Sequence, residues 1–350
     1  MTKPLSKMNS ASHTAIQHST HMARRLSVPL LLAGGAILLL VLAALASLAF
    51  GSNPLSITQV LAGLFAPDGS LESALIQDIR LPRVVLALLI GVNLSVAGVL
   101  TQTLTSNPLA SPQTFGINAG AALMIVLSMV LFPITAQWGT MFAAFLGATA
   151  VGVLMWMFSL SPLFTPLKLA LAGISIQLVL AAIMQAILIA NNAAQDIVYW
   201  LAGSLSTAQW AKVELILPFS LLGVTLALIS RHHLSLLILD VTTSQSLGQN
   251  TRRIGGLAIF IVVILAGSAV AVAGPIGFIG LIIPHIVKRL VGEKLGLNIV
   301  LGSLIGALLL LTSDLLGKWL AYPSELPVGI VTAMIGAPAF LLITWKQRKS

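Results

Sequence analysis

The stretch VPLLLAGGAILLLVLAALASLAF, residues 28–50, contains no charged side chain. About 20 apolar residues are enough for one helix to cross the hydrocarbon core of a bilayer. Nine further apolar stretches follow at about 84–104, 114–132, 138–160, 167–190, 212–230, 254–273, 276–291, 298–317 and 327–345. The pattern therefore predicts an all-α integral membrane protein with ten transmembrane helices.

The composition is that of a membrane protein throughout. Of the 350 residues, 57% are hydrophobic and 8% are charged, and the mean hydropathy is +1.03. Because soluble domains carry about 25% charged residues, these values exclude a soluble enzyme, a disordered chain and a nucleic-acid-binding protein. The long apolar runs do not alternate as barrel strands do, and backbone groups in lipid must be bonded within their own segment, which favours helices.

The positive charges predict the orientation of these helices. If the N-terminus is cytoplasmic and ten helices alternate, 14 of the 18 Lys and Arg residues lie on the cytoplasmic side. The outer side keeps Arg80, Arg83, Lys212 and Lys318, together with all acidic residues except Asp240 and Glu293. The positive-inside rule then predicts that both termini are cytoplasmic.

The N-terminal residues differ in character from the rest. Residues 1–23 are polar and rich in Ser, Thr and His, so we predict a flexible cytoplasmic tail, followed by a single transmembrane domain over residues 24–350. Two alternatives remain open. His13, His18 and His21 could form a metal site, and the Ala44–Ala46 stretch resembles a signal-peptide cleavage site, although the apolar run is longer than in signal peptides.

Several kinds of chemistry have no sequence basis. The chain has no cysteine and no G-x-x-x-x-G-K-[ST], H-E-x-x-H or G-x-S-x-G motif, so it should not hydrolyse ATP by itself. The middles of the spans carry almost no ionisable residue, whereas ion-coupled carriers usually need one. We expect a transport pathway whose energy comes from elsewhere. An ion-coupled secondary transporter and a membrane scaffold are the alternatives.

Two regions could bind partners. The cytoplasmic connection 231–253 carries residues that can cap and end short helices, among them Asp240, Gly248 and Asn250, which would form a compact knob suited to a groove on a soluble protein. On the outer side, Arg80 and Arg83 flank a proline in IRLPR, and arginine forks pair with carboxylates. A plain amphipathic loop and simple interface anchoring are the respective alternatives. Lys318 follows Asp314 by four residues, so an intrahelical ion pair is equally plausible for it.

Polar and small residues within the spans have two interpretations. The amides could line a polar path or simply bond neighbouring helices. The small residues fit close helix packing, including the pairs Gly302/Gly306 and Ala143/Gly147. The four amides in question are Asn93, Gln102, Gln177 and Gln185.

The longest motif is IRLPRVVLALLIGVNLSVAGVLTQTLTSNPLASPQTFGINAGAAL, residues 79–123, and it resembles the signature region of the FecCD family. These proteins are permeases of ATP-binding-cassette importers for iron–siderophores, haem and vitamin B12. The resemblance continues, in the order of the family, through YWLAGSLSTAQW (199–210), SLGQNTRRI (246–254), AVAVAGPIGFIGLIIPHIVKRLVG (269–292) and ELPVGIVTAMIGAPAF (325–340). It covers nearly everything after residue 55.

The resemblance implies the composition of a complex in a bacterial inner membrane. It implies two permease subunits, two ATPase subunits that hold ATP and Mg²⁺, and a binding protein that delivers the substrate. This chain itself should bind no cofactor. The look of the motifs is closest to the ferric-citrate type, in which two different permeases pair, so we expect a ferric chelate and a related second permease. A vitamin B12 or haem permease is the alternative.

The resemblance also assigns residues. Arg80 and Arg83 match arginines that meet glutamates of the binding protein in the vitamin B12 member, and Lys318 stands at a third basic position. Residues 239–253 match the coupling helices that contact the ATPase subunits. The coupling residues expected there are Asp240, Ser246, Leu247, Gly248, Asn250, Arg252 and Arg253.

Overall fold

The computed structural model describes residues 6–51, 53–131, 137–161, 166–191, 200–238 and 251–347, and within these ranges the regular elements are all helical. A first helix precedes a short segment of two small helices and a π-helical turn, which we call the outer segment because the predicted orientation places it on the outer side. The first helix is α1 (Ser6–Ala49). The segment after it consists of α2 (Ile57–Phe65), α3 (Leu71–Ala74) and the π turn (Leu75–Arg80).

The remaining helices follow one another along the chain. They are α4 (Leu81–Thr105), α5 (Ile117–Leu131), α6 (Gln137–Leu160), α7 (Pro166–Ala190), α8 (Trp210–Ile229), α9 (Arg231–Ser235) with a 3₁₀ turn (Leu236–Ile238), α10 (Thr251–Ala273), α11 (Ile279–Val291), α12 (Leu295–Leu320) and α13 (Val328–Gln347).

Each of the ten apolar segments predicted from the sequence falls on one of these helices. Seven helices of the described ranges are long and apolar enough to cross a membrane. Two more apolar helices are shorter, Ile117–Leu131 and Val328–Leu342, and α11 has 13 residues. The prediction of an all-α membrane protein is confirmed.

The N-terminal tail is helical from Ser6 onward. The structure gives one helix from Ser6 to Ala49, so the residues predicted as a flexible cytoplasmic tail continue into the first span as helix, and their flexibility stays a prediction. Residues 6–28 contain no glycine or proline that would end a helix. Polar composition predicts exposure to water, but it does not by itself end a helix. The apolar part of α1 that could span a membrane is Val28–Ala49.

Helix α4 lies at the centre of the bundle, in contact with α8, α10, α11 and α12. Glycines allow this close packing. A Cβ on Gly91 would lie 2.5 Å from the carbonyl oxygen of Gly306 on α12, and one on Gly98 would overlap the backbone of Gly280. Gly120 and Gly147 bring α5 and α6 together in the same way. The packing role predicted for the small residues is confirmed at these positions.

The outer segment is organised by local caps. Ser56 and Gln59 form a capping box at the start of α2, and Ser70 caps α3. The π turn then runs directly into α4, with Pro82 in its first turn. Because proline has no N–H to donate, the helix is free to widen just before it. This widened turn carries Arg80, and α4 begins with Arg83 in its first turn.

Candidate functional site

Four charged side chains meet where α4 begins and α12 ends, at the end of the bundle that the predicted orientation places outside. We call Arg83, Asp314, Lys318 and Glu325 the outer charge cluster. Arg83 donates to Asp314 from Nε, at 3.0 and 3.1 Å to the two carboxylate oxygens, and from Nη2 at 2.8 Å. Its Nη1 donates to Oε2 of Glu325 at 2.7 Å. The cluster joins α4, α12 and the segment that leads into α13.

The members of the cluster differ in burial. The side chain of Asp314 is 2% exposed, Lys318 7%, Arg83 11% and Glu325 37%. Two positive and two negative charges cancel within the cluster. Burial of charge requires such pairing, because an unpaired buried ion would lose its hydration and gain no attraction to an opposite charge. Glu325 is the member most open to solvent.

Lys318 is held within the chain. Its Nζ lies 3.1 Å from Oδ2 of Asp314, one helical turn earlier, and 3.4 Å from the hydroxyl of Ser47 on α1. The intrahelical ion pair proposed from the spacing is confirmed. The shared carboxylate of Asp314 therefore contacts both basic residues, Arg83 and Lys318.

Arg80 has a different environment from Arg83. It is buried, with 6% of its surface exposed, and its Nη1 donates to the carbonyls of Leu48 at 2.6 Å and Ala49 at 3.0 Å. Nη2 donates to the carbonyl of Asn53. The carbonyls of Leu48 and Ala49 belong to the last turn of α1, where no intrahelical donor remains for them, and Asn53 lies just beyond the end of the helix. In this conformation Arg80 fastens the end of α1, and its docking role stays a prediction.

Two of the predicted path residues lie in the packed interior of α4. Asn93 is fully buried and donates from Nδ2 to the hydroxyls of Ser220 on α8 at 2.8 Å and Ser268 on α10 at 3.2 Å. Gln102 donates from Nε2 to the carbonyl of Leu281 at 3.0 Å. Both therefore bond neighbouring helices, which was the alternative to path lining.

The carbonyl oxygens of these two amides are less satisfied than their NH₂ groups. Oδ1 of Asn93 and Oε1 of Gln102 are buried without a hydrogen-bond partner in the described residues. Gln102 also borders a cavity of about 350 Å³ at the C-terminal ends of α4 and α11, lined in part by His285, Lys288, Arg289 and Glu293. Contact of Gln102 with a polar path thus remains a prediction.

Gln177 and Gln185 lie on α7, at the edge of the bundle. This helix contacts α5 and α6, and its best apolar window is only 6% buried. Gln177 is half-buried and Gln185 is exposed. A glutamine amide on the outside of a membrane helix has no partner in lipid, which makes this face suited to contact with another polar surface.

The predicted coupling residues fall mainly beyond the described ranges. Residues 239–250 are outside them, which includes Asp240, Ser246, Leu247, Gly248 and Asn250. Arg252 belongs to the first turn of α10, and Arg253 follows it as an exposed residue. Their part in coupling stays a prediction.

Sequence reasoning missed Glu325 and the partnership of Arg83 with Asp314. Asp314 lies 231 positions after Arg83 in the chain, and Glu325 lies 242 positions after it. No sequence spacing could therefore relate them. The one available signal was that an arginine and two carboxylates were all predicted at outer helix ends.

Comparison with known proteins decides the family. The model of the FecCD transport family matches residues 38–346. The chain belongs to the FecCD transport family. It is therefore a multi-pass permease subunit of a transport system, which agrees with the resemblance found in the motifs.

Individual relatives match this chain along most of their length. The chain is 45% identical over 302 residues to the Fe(3+)-citrate import system permease protein YfmD of Bacillus subtilis, covering 86% of this chain and 90% of that protein. It is 38% identical to the Fe(3+) dicitrate transport system permease protein FecC of Escherichia coli, covering 80% and 85%. A solved inward-facing structure of a metal-chelate type ABC transporter matches 90% of this chain and 98% of its own, with 30% identity and a TM-score of 0.79.

Proposed function

We propose that this chain is a permease subunit of an ATP-binding-cassette importer that moves a ferric chelate, of the ferric-citrate type, into the bacterial cytoplasm. The observation that carries the proposal is its 45% identity to a permease named for Fe(3+)-citrate import, over most of both chains. The independent likeness to an E. coli dicitrate permease supports the same substrate class.

The energy for transport comes from two separate ATPase subunits. The sequence has no P-loop, so ATP and Mg²⁺ are held by those partners. They contact the coupling segment 239–253, and their closure on ATP is transmitted through it to the helices. ATP biases the pathway between outward and inward openings because it binds the closed ATPase pair more tightly.

The second permease subunit is a related but different chain, and it packs against α7. The exposed face of α7 carries Gln185, with Gln177 half-buried on the same helix. Because an amide facing lipid is unfavourable, this surface is better satisfied against a partner or a hydrated path. Both glutamines then line the path between the two permeases, while Asn93 and Gln102 support it from α4.

The substrate-binding protein docks on the outer end of the bundle. Arg83 and Lys318 lie there, each paired with a carboxylate of the outer charge cluster. Arg80 shapes the same surface by fastening the end of α1. Acidic residues of the binding protein pair with Arg83. The complex lies in the inner membrane with both termini of this chain in the cytoplasm, as the distribution of positive charge indicates.

Uptake of radiolabelled ferric citrate tests the proposal directly. Cells that lack this chain are compared with cells in which it is restored, with unlabelled siderophores, haem and vitamin B12 as competitors. Restored, ATP-dependent uptake that only citrate complexes inhibit is the expected result. Restored uptake of vitamin B12 or haem instead would contradict the substrate, and uptake that resists ATP depletion but not uncouplers would contradict the energy source.

A further inference from the structure

Arg83 is contacted by two carboxylates from different sides. Asp314 accepts hydrogen bonds from Nε and Nη2 of Arg83, and Glu325 accepts one from Nη1 at 2.7 Å. Asp314 is 2% exposed and Glu325 is 37% exposed. A carboxylate that approaches Arg83 from outside therefore arrives at the position that Glu325 holds.

We propose that Glu325 is an internal substitute for a carboxylate of the binding protein, and that docking exchanges one for the other at Nη1 of Arg83. The proposal rests on the docking site proposed above and adds its mechanism. The partner surface that fits is an acidic one, which presents an Asp or Glu side chain to the outer charge cluster.

Exchange fits the charges better than simple addition. The cluster is neutral, with Arg83 and Lys318 balancing Asp314 and Glu325. A third carboxylate brought in without displacement would leave a net negative charge in a site that is mostly buried, which is unfavourable. Replacement of Glu325 keeps the cluster neutral and keeps the arginine paired in both states.

The exchange also has a structural consequence. Glu325 lies in the segment between α12 and α13, and the backbone that follows it is bonded to other elements at two points. Leu326 N donates to the carbonyl of Gly317 at 3.2 Å, and Gly329 N donates to the carbonyl of Gly203 at 3.0 Å. When Glu325 leaves Arg83, this segment loses its ion pair with α4. Docking is thereby linked to the start of α13.

The exchange makes Glu325 a determinant of docking affinity, which can be measured. The permease complex in lipid nanodiscs is titrated with the purified, ferric-citrate-loaded binding protein of this transport system. Glu325→Gln removes the competitor and should tighten binding about fivefold, the size expected for loss of one partly exposed ion pair. Glu325→Ala should act in the same direction, and Glu325→Asp should bind as the unchanged protein does.

A matched control separates competition from general charge. Glu72 is an exposed acid on α3, on the same outer side, so Glu72→Gln removes the same charge without touching Arg83. Equal tightening in both Gln variants would overturn the proposal, as would unchanged or weaker binding in Glu325→Gln and Glu325→Ala. If Arg83→Lys also leaves the affinity unchanged, the docking site itself is wrong. If Arg83→Lys weakens binding while the Glu325 variants leave it unchanged, the docking site is supported and the proposed exchange is overturned.

Discussion

Arg83 donates to both carboxylate oxygens of Asp314, although 231 residues separate the two in the chain. The contact fastens the start of α4, the central helix, to the end of α12. Asp314 also contacts Lys318 at 3.1 Å, so a single buried carboxylate is shared by two basic groups, and Glu325 completes the charge balance. The outer end of the bundle is thus held by electrostatics, whereas its middle is held by close glycine packing.

Asp314→Asn should destabilise the protein strongly. The variant leaves Arg83 and Lys318 with one carboxylate fewer in a mostly buried site, and removal of one partner from a buried pair costs about 3 kcal/mol. Thermal unfolding in detergent measures the change. Asp78→Asn is the matched control, since Asp78 is exposed on the same side and should leave the unfolding temperature nearly unaltered. Equal unfolding temperatures for the two variants would contradict the assigned role of Asp314.

Arg80→Ala should lower stability, and its effect on docking affinity tests the docking role predicted for Arg80. It removes the donors that satisfy the carbonyls of Leu48, Ala49 and Asn53, at a cost of about 2 kcal/mol. Arg80→Lys keeps the charge and should lose less. Thermal unfolding gives the stability, and binding-protein titration gives the affinity. Arg231→Ala, at an exposed arginine, should change neither. A stable Arg80→Ala variant that no longer binds would support the direct docking role and contradict the structural one.

Gly91→Ala should disrupt the contact between α4 and α12. The new Cβ would lie 2.5 Å from the Gly306 carbonyl oxygen and 2.7 Å from the Cα of Ala307, and overpacking against backbone costs about 2 kcal/mol. The measurement is the yield of folded protein and its unfolding temperature. Gly35→Ala in α1 is the control, because nothing lies within 4 Å of a Cβ there. A Gly91→Ala variant as stable as Gly35→Ala would refute the close approach.

Gln185→Leu should weaken assembly with the second permease and lower ferric-citrate uptake several-fold. Leucine removes the amide that the exposed face of α7 offers to its partner, while the apolar side chain suits lipid and leaves insertion intact. Co-purification of the two permeases measures assembly. Gln209→Leu carries the same substitution at an exposed position before α8 and should assemble normally. Full assembly and uptake in Gln185→Leu would show that this face contacts lipid.

Gly248→Val should uncouple ATP hydrolysis from transport. Glycine is predicted to end a short helix in the left-handed conformation there, which a β-branched residue adopts only with strain. The complex should still hydrolyse ATP while ferric-citrate uptake falls about tenfold or more, as expected when a coupling contact is lost. Thr243→Val, a change of similar shape in the same segment, serves as the control. If Gly248→Val takes up as much ferric citrate per ATP hydrolysed as the unchanged protein, this glycine has no role in coupling.

Much of the fold followed from the sequence because lipid leaves the backbone few options. A long apolar segment in a bilayer must bond its own N–H and C=O groups, so each of the ten segments was predictable as a helix. The small residues that bring α4 against α12 were recognisable for a similar reason, since close helix approach requires them. The helical extension of α1 toward Ser6 could not be predicted from the sequence, because polar residues fit a helix and a loop equally well.

By itself, the sequence determined the membrane class, the helical segments, the predicted orientation and the family motifs. These depend on local composition and on order along the chain. Only the tertiary structure decided that Arg80 fastens α1 while Arg83, three residues later, joins Asp314 and Glu325. Both arginines stand in one motif, but their partners are backbone carbonyls in one case and carboxylates more than 230 residues away in the other. Burial and pairing of charge depend on those distant partners, which no local pattern specifies.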